Sequence, residues 1–558
     1  MTSDSLPRPP SPALGWVLLM PAGLGMLISL LLPTVQTIQL SLESGGSLTP
    51  RTFVGLDNYA QLTRTGEVWS ALGFSLSLVL MPLLVALVAG PLLAFALDRA
   101  GTRPRRAGLV VLSLAPVVFS PAAVAVSWLY GLRPGASGLV TLATTLRDPA
   151  TGPSGLRLIV AAATFGVVCA LAVMAFLPAL RGGAVTRSMI AVGVIVALAT
   201  LAAGLQTFTL GAILTGGSRA QTLAGMQYAQ AFVQGRPGMG AAVATLTGVV
   251  LGMLGLAAAI VVVAAGVRLW VTPARDVAGE EPYEQAEDAA TGRAVQVASG
   301  HGGAGRAAPV AGRAAGIAAV VAYAAVALVL TWPWLAALTR PSSGPGGGLA
   351  THVNTWVPAV IGAVVSVGVA YLGALGIGGL RPLGRRSEWL LLLFAPWLFV
   401  GVGPLSVAGW TDMRNLGLID TFLALVPPVL VSVPCLFLLT LLCKGLAERS
   451  GGDFVGGVVR PSLPMAGILA VVVTLLNGQD LLWPLLVAHD PGLATAPATQ
   501  YLQLRQYGGW PSAGLSTPLP VILAALLAAG AAQVLYLHRL ALRAGAPGGG
   551  ARSPAPAA

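Results

Sequence analysis

Charge is what this chain has least of, and lysine least of all. Only 9% of its 558 residues are charged, against about a quarter in an average soluble domain, which argues against a soluble enzyme. The single lysine, Lys444, is followed by Gly445. That leaves no GxxxxGK[ST] loop, whose lysine must reach the terminal phosphates of a nucleotide, so the chain carries no ATPase motif of its own. Cysteine is scarce too: Cys169, Cys435 and Cys443 show no CxxC spacing and read as small apolar packing residues. The four histidines stand too far apart for a helical i, i+4 pair and no HExxH occurs, so the sequence supports no metal site. The net charge of +12 is spread in small clusters between apolar runs, which is not the continuous basic stripe of a nucleic-acid binder.

What is abundant is apolar. Hydrophobic residues make up 56% of the chain and the mean hydropathy is +0.82. The 71 glycines and 41 prolines are scattered through the apolar runs without a G-x-y period, which excludes collagen and fits membrane helices, where both residues are more frequent than in soluble ones. A helix needs about 20 mainly apolar residues to cross the hydrocarbon. With that ruler the sequence predicts twelve spans: near 14–33, 71–97, 107–131, 157–180, 188–214 and 239–271, then near 314–338, 355–380, 389–409, 418–443, 461–479 and 518–541. The first run follows only Arg8 and a proline-rich start, without a small-residue cleavage motif, and reads as a retained span.

Placing both termini inside puts 21 of the 31 Lys and Arg residues on the inner side, as the positive-inside rule requires. The clusters Arg103-Pro104-Arg105-Arg106 and Arg381-Pro382-Leu383-Gly384-Arg385-Arg386 both follow the second span of a six-span set. An even number of spans per set gives two parallel halves, 1–271 and 314–545, related by an axis along the membrane normal. Between them, 272–313 abandons the apolar pattern for Ala, Gly, Pro and acids and reads as a flexible cytoplasmic linker; 546–558 reads as a disordered tail.

Several segments share an order. Phe53-Val54-Gly55-Leu56-Asp57-Asn58-Tyr59 precedes Trp69, and Leu416-Gly417-Leu418-Ile419-Asp420-Thr421 precedes the tenth span; Val458-Val459-Arg460-Pro461 and Gln479-Asp480-Leu481-Leu482-Trp483-Pro484 follow. The series resembles the permease subunits of binding-protein-dependent sugar ABC importers of the maltose and glycerol-phosphate type, with two usual subunits fused in one chain. The resemblance implies an all-α polytopic membrane protein of the type I importer permease fold in the cytoplasmic membrane. It also implies a separate ABC ATPase dimer carrying ATP and Mg, a solute-binding protein outside, membrane lipid around it and no nucleic acid. The chain departs from the family where a Glu-Ala-Ala loop should dock on the ATPase. The corresponding loops, with Arg181 and Arg187 in one half and Lys444, Glu448 and Arg449 in the other, lack that element.

Polar side chains within spans are costly and tend to face an aqueous path. Gln206, Thr207 and Thr209 late in the fifth span, and Asn477, Gln479 and Asp480 in the corresponding place of the eleventh, are therefore candidate path-lining residues, with Trp483 beside them. Asp480 equally suits a place at the outer interface, capping a turn. Trp332, Trp334, Trp389, Trp410 and Trp483 fall at span ends, where interfacial belts account for them. The expectation is a transport permease moving a sugar or similar hydrophilic solute by alternating access. A secondary carrier and a degenerate permease acting as scaffold or sensor are the alternatives.

Overall fold

The computed structural model describes residues 12–46, 50–215, 221–272, 307–338, 347–505 and 510–545. These are almost wholly helical, as a lipid-immersed backbone must be when every N–H and C=O has to find its partner inside the protein. Among the described residues nine helices are long and apolar enough to cross a membrane, or eleven if each of two bent pairs counts as one span. The chain is thus an all-α polytopic membrane protein.

In chain order the main helices are α1 (Pro12–Ser41), α2 (Glu67–Arg99), the bent pair α3 (Thr102–Val118) and α4 (Pro121–Leu132), α5 (Gly152–Ala179) and α6 (Val185–Leu205). Two short helices, α7 (Thr209–Thr215) and α8 (223–233), lead to α9 (Pro237–Ala264). The second set runs α10 (Ala307–Ala337), α11 (Leu349–Leu380), the bent pair α12 (Gly384–Trp397) and α13 (Val402–Asn415), α14 (Val433–Ala447) and α15 (Val455–Gly478). Short α16 (Leu482–Val487) and α17 (Ala496–Arg505) lead to α18 (Leu519–Arg539). The third member of each set is broken, by 76° in one and 74° in the other. Proline fixes the first break: Pro121 opens α4 and forces Ser120 into extended backbone (φ −127°, ψ 115°).

The expected tenth span is the clearest departure. Residues 418–432 form turns and a short 3-10 stretch through Pro427-Pro428, and only Val433–Ala447 is helical. Fifteen residues rise about 22 Å, short of the roughly 30 Å hydrocarbon core. The fifth expected span stops at Leu205, because the chain turns at Gln206 before α7. The sixth stops at Ala264, and Arg268–Val271 is a strand. The expected linker is shorter than 272–313, since α10 begins at Ala307; 273–306 and the tail 546–558 lie outside the described residues.

The two sets interlock reciprocally. α1 packs on α11 of the other set, bringing Gly15 and Ala22 against Gly376 and Gly373, while α10 packs on the end of α2, bringing Gly316 against Ala96 and Ala100. Small residues let helix backbones approach where lipid offers no hydrophobic drive. After the last helix of each set the chain turns into a strand. β3 (Arg268–Val271) and β4 (Leu540–Arg543) pair antiparallel with Leu269 opposite Leu542. Each strand presses on a glycine of the opposite set: a Cβ on Gly182 would overlap the Leu542 carbonyl, and one on Gly445 the Leu269 carbonyl. Besides this pair, the described residues contain one short hairpin, β1 (Glu43–Ser44) and β2 (Thr52–Phe53), apart from the interlock.

This reciprocity is testable. With the native cysteines replaced and a protease site inserted between the sets, L269C and L542C should hold the cleaved halves together under oxidation, and Gly182→Val or Gly445→Val should abolish the crosslink. Halves that separate without any valine would contradict the pairing.

Candidate functional site

A break in a membrane helix frees backbone groups from their partners one turn away, and leaving one unpaired where water does not reach costs about 1–3 kcal/mol. The first break is served locally, by the Ser120 hydroxyl accepting from Ala123 N–H at 3.3 Å. The second is served from across the molecule. Gln206, at the end of α6, donates to the Phe399 carbonyl at 2.8 Å and accepts from Gly401 N–H at 2.8 Å, while also donating to its own helix at Ala202 O, 3.1 Å. One amide thus joins the first half to the broken span of the second.

A cavity of about 870 Å³ opens beside this junction, lined by residues of both halves and reaching both breaks at Phe119 and at 401–404. Of the seven expected path residues, Gln206 and Thr209 line it from one side and Asn477, Gln479 and Asp480 from the other. Asn477 donates to Ala359 O at 3.3 Å, and Gln479 donates to Ser516 O at 2.9 Å. The Gln479 Oε1 is buried with no hydrogen-bond partner among the described residues. Asp480 caps α16, accepting from Leu482 N–H at 3.1 Å and Trp483 N–H at 3.3 Å. Thr207 and Trp483 are not brought into the lining. Thr207 bonds back to Ala203 O at 3.3 Å. Trp483 is buried and donates to Ala424 O at 2.8 Å, so it is a packing residue in this structure. Trp334 is also buried, whereas Trp332 and Trp389 are exposed as belt residues would be.

The remaining walls are mostly apolar, with Leu171, Met174, Val471 and Leu475 among them. The amides and carboxylate therefore gather near the breaks. Above them lies a feature the sequence reading missed. Buried Gln227 of α8 donates to Gly403 O at 2.6 Å and to Ser406 Oγ at 2.9 Å, a polar tie between halves. Its sequence signal is a run of amides at helical spacing, Gln227, Gln230 and Gln234, within an otherwise apolar stretch.

The five expected coupling residues surround the strand pair. Arg181 contacts Asp98 at 3.4 Å and donates to His538 O at 2.6 Å; Arg187 lies beside Gly545 just past β4. Lys444 is buried against Glu388 at 2.5 Å, Glu448 pairs with Arg381 at 2.8 Å and with Arg268 of β3 at 3.2 Å, and Arg449 lies over the Trp270 ring at 4.3 Å. Each half's loop therefore grips the other half's strand. On the same face, 183–187 and 451–453 are exposed.

No family model matches the chain, and no curated protein matches it.

The geometry separates two amides that the sequence treats alike. Gln206→Ala leaves Gly401 N–H and Phe399 O without their partner and should lower the thermal stability of the purified protein by about 1–3 kcal/mol, whereas Asn477→Ala, losing one 3.3 Å bond, should cost less than about 1 kcal/mol. Equal melting shifts would remove the cross-half role assigned to Gln206.

Proposed function

We propose that the chain is the fused permease of an ABC importer, moving a small hydrophilic solute by alternating access and driven by a separate ATPase dimer. The observation that carries this reading is the cavity of about 870 Å³ between the halves, at the breaks of two corresponding spans. Ligand sites in transporters characteristically lie at repeat interfaces beside discontinuous helices. The interlocked first helices and the strand pair support a two-fold arrangement of halves, and the resemblance of the sequence motifs supports the sugar-importer class. In this reading the strand face is cytoplasmic, in keeping with the arginine count, and a solute-binding protein meets the opposite face. Gln206, Thr209, Asn477, Gln479 and Asp480 supply donors and acceptors to the solute, and the Gln227–Ser406 tie closes the site from outside. The exposed 183–187 and 451–453 segments are where an ATPase would dock.

One observation favours a second reading, an uncoupled scaffold or sensor: the loop residues Arg181, Lys444 and Glu448 are engaged by the chain's own groups. A secondary carrier would instead place its coupling on the lining carboxylate, Asp480, so Asp480→Asn should abolish uptake in a carrier and spare assembly.

Crosslinkers at 183–187 and 451–453 in native membranes decide between them. Capture of an ATPase at both segments, with ATP turnover in the purified complex, is the expected result; a folded, abundant chain that captures none at either segment would overturn the importer reading. In the same preparation Gln227→Ala should open the outer barrier and raise maleimide labelling of a T209C cysteine from the face opposite the strands. Unchanged labelling would show that Gln227 is not the barrier.

A further inference from the structure

A second cavity, also about 870 Å³, lies one turn further along the helices that line the first. The two share α8, α13 and α16: Gln227, Pro404 and Leu482 face the inner cavity, and Tyr228, Val407 and Leu485 the outer one. The Gln227–Ser406 tie stands between them. Their linings differ in kind. Where the inner cavity is mostly apolar, the outer one presents Tyr228, Trp410 and Tyr501 together with Arg414, Arg505 and His489.

The rings form a connected surface. Phe208 packs edge-on to Tyr228 at 5.2 Å, Tyr228 meets Phe232 at 6.0 Å, and Phe232 meets Trp410 of the other half edge-on at 5.8 Å. Two of the cations sit over rings: Arg414 over Trp410 at 5.6 Å and Arg505 over Tyr501 at 6.0 Å. The charge is not cancelled in place. Asp420 answers His489, with 3.5 Å between carboxylate and imidazole. Burial acts to raise the Asp420 carboxyl, but N–H bonds from His489 and Asp490 and the adjacent imidazole hold it below the usual carboxylate range. Arg51, also on the lining, is 3.9 Å from Glu43. Arg505 donates to the neutral carbonyls of Ala212 and Ile213 at 2.7 and 3.2 Å, and neither Arg414 nor Arg505 has a carboxylate within ion-pair distance among the described residues. Two guanidinium groups therefore face the cavity without a counter-ion, beside flat aromatic surface.

We infer that this outer cavity is a selectivity vestibule for an anionic, ring-bearing solute, a sugar acid or sugar phosphate, which docks its carboxylate or phosphate on Arg414 and Arg505 and its ring on Trp410 and Tyr501. Planar guanidinium forks match such anions, and aromatic faces accept the apolar face of a sugar ring. The concave shape and its walls from both halves suit a small solute better than a protein edge. The inference deepens the transport reading and rests on it for the word vestibule, but binding to the site can be measured without transport.

The full-length chain in lipid nanodiscs is titrated calorimetrically with glucose, glucuronate and glucose 6-phosphate. The two anions should bind at least about tenfold more tightly than glucose, a difference of about 1.4 kcal/mol, and raising the salt from about 50 to about 500 mM should reduce that preference by screening. Arg414→Gln, which removes a side chain with no backbone bonds, should cut the preference several-fold while leaving glucose unchanged; Arg505→Gln should add to it, though it also breaks the bonds to α7. Trp410→Ala should weaken all three ligands together. Glucose binding as well as the anions, no binding by any of the three, or an anion preference that survives Arg414→Gln would each overturn the inference. Anion binding lost in Arg414→Gln in a chain that captures no ATPase would keep the site and remove the importer reading.

Discussion

A membrane helix that breaks in mid-span must have its freed backbone groups satisfied by protein, because lipid offers neither donor nor acceptor. That constraint organises this molecule. At the first break Ser120 meets it from within its own half; at the second, Gly401 N–H and the Phe399 carbonyl are met by Gln206 from the other half. Gly401 is exposed at the cavity, so each of these bonds is worth about 1 kcal/mol, and together they tie the two halves at the depth where the cavity lies. Gln479, at the end of α15 as Gln206 is at the end of α6, bonds to Ser516 instead of to the opposite break and leaves its Oε1 unpaired at the cavity wall.

The second organising feature is exchange. Each half gives its first helix to the other half's second helix and its terminal strand to the other half's loop. Such a reciprocal contact is the intramolecular counterpart of an isologous interface, each half giving and receiving the same kind of element. It also restricts how the halves can move. Separating them at the strand face would break the β3–β4 ladder and the Glu448–Arg268 pair, whereas at the opposite face the ties include the Gln227 bonds, the Arg505 bonds to Ala212 and Ile213, the Tyr130 bond to Pro511 and the aromatic contacts around Trp410. Motion that rocks the halves about the strand pair disturbs fewer polar bonds than motion that splits it.

Much of this was legible in the sequence, and the reasons for the rest are physical. Span length and apolarity sufficed for nearly every helix, because in a bilayer the hydrophobic run is itself the structural requirement. The same ruler overran at 418–432, since Leu, Val and Ala are equally at home in a buried turn; Pro427 and Pro428 were the available warning. The polar residues singled out in the fifth and eleventh spans lie where the structure has a cavity, but composition does not distinguish an amide that only lines it from one that also ties two backbones, as Gln206 does. Trp483 read as a partner of the polar site and is packed against Gly409 and Ala424. The strands were invisible: Arg-Leu-Trp-Val and Leu-Ala-Leu-Arg continue an apolar helix in every local respect, and only their pairing across 270 or so positions makes them strands.

The contrast between the two cavities bears on how a solute would pass. A path that bound its cargo tightly throughout would trap it, since conduction needs affinity sufficient for entry and weak enough for release. Here cations and rings are concentrated outside the Gln227–Ser406 tie, a few amides and one carboxylate lie just inside it, and mostly apolar walls, with Gln533 and Tyr536 among them, follow toward the strand face. The strength of polar recognition therefore falls along the axis. In the importer reading proposed above, selection happens where the protein still shares the solute with water, and the mostly apolar walls beyond offer little to hold it, so release on the strand side requires only that the halves open there.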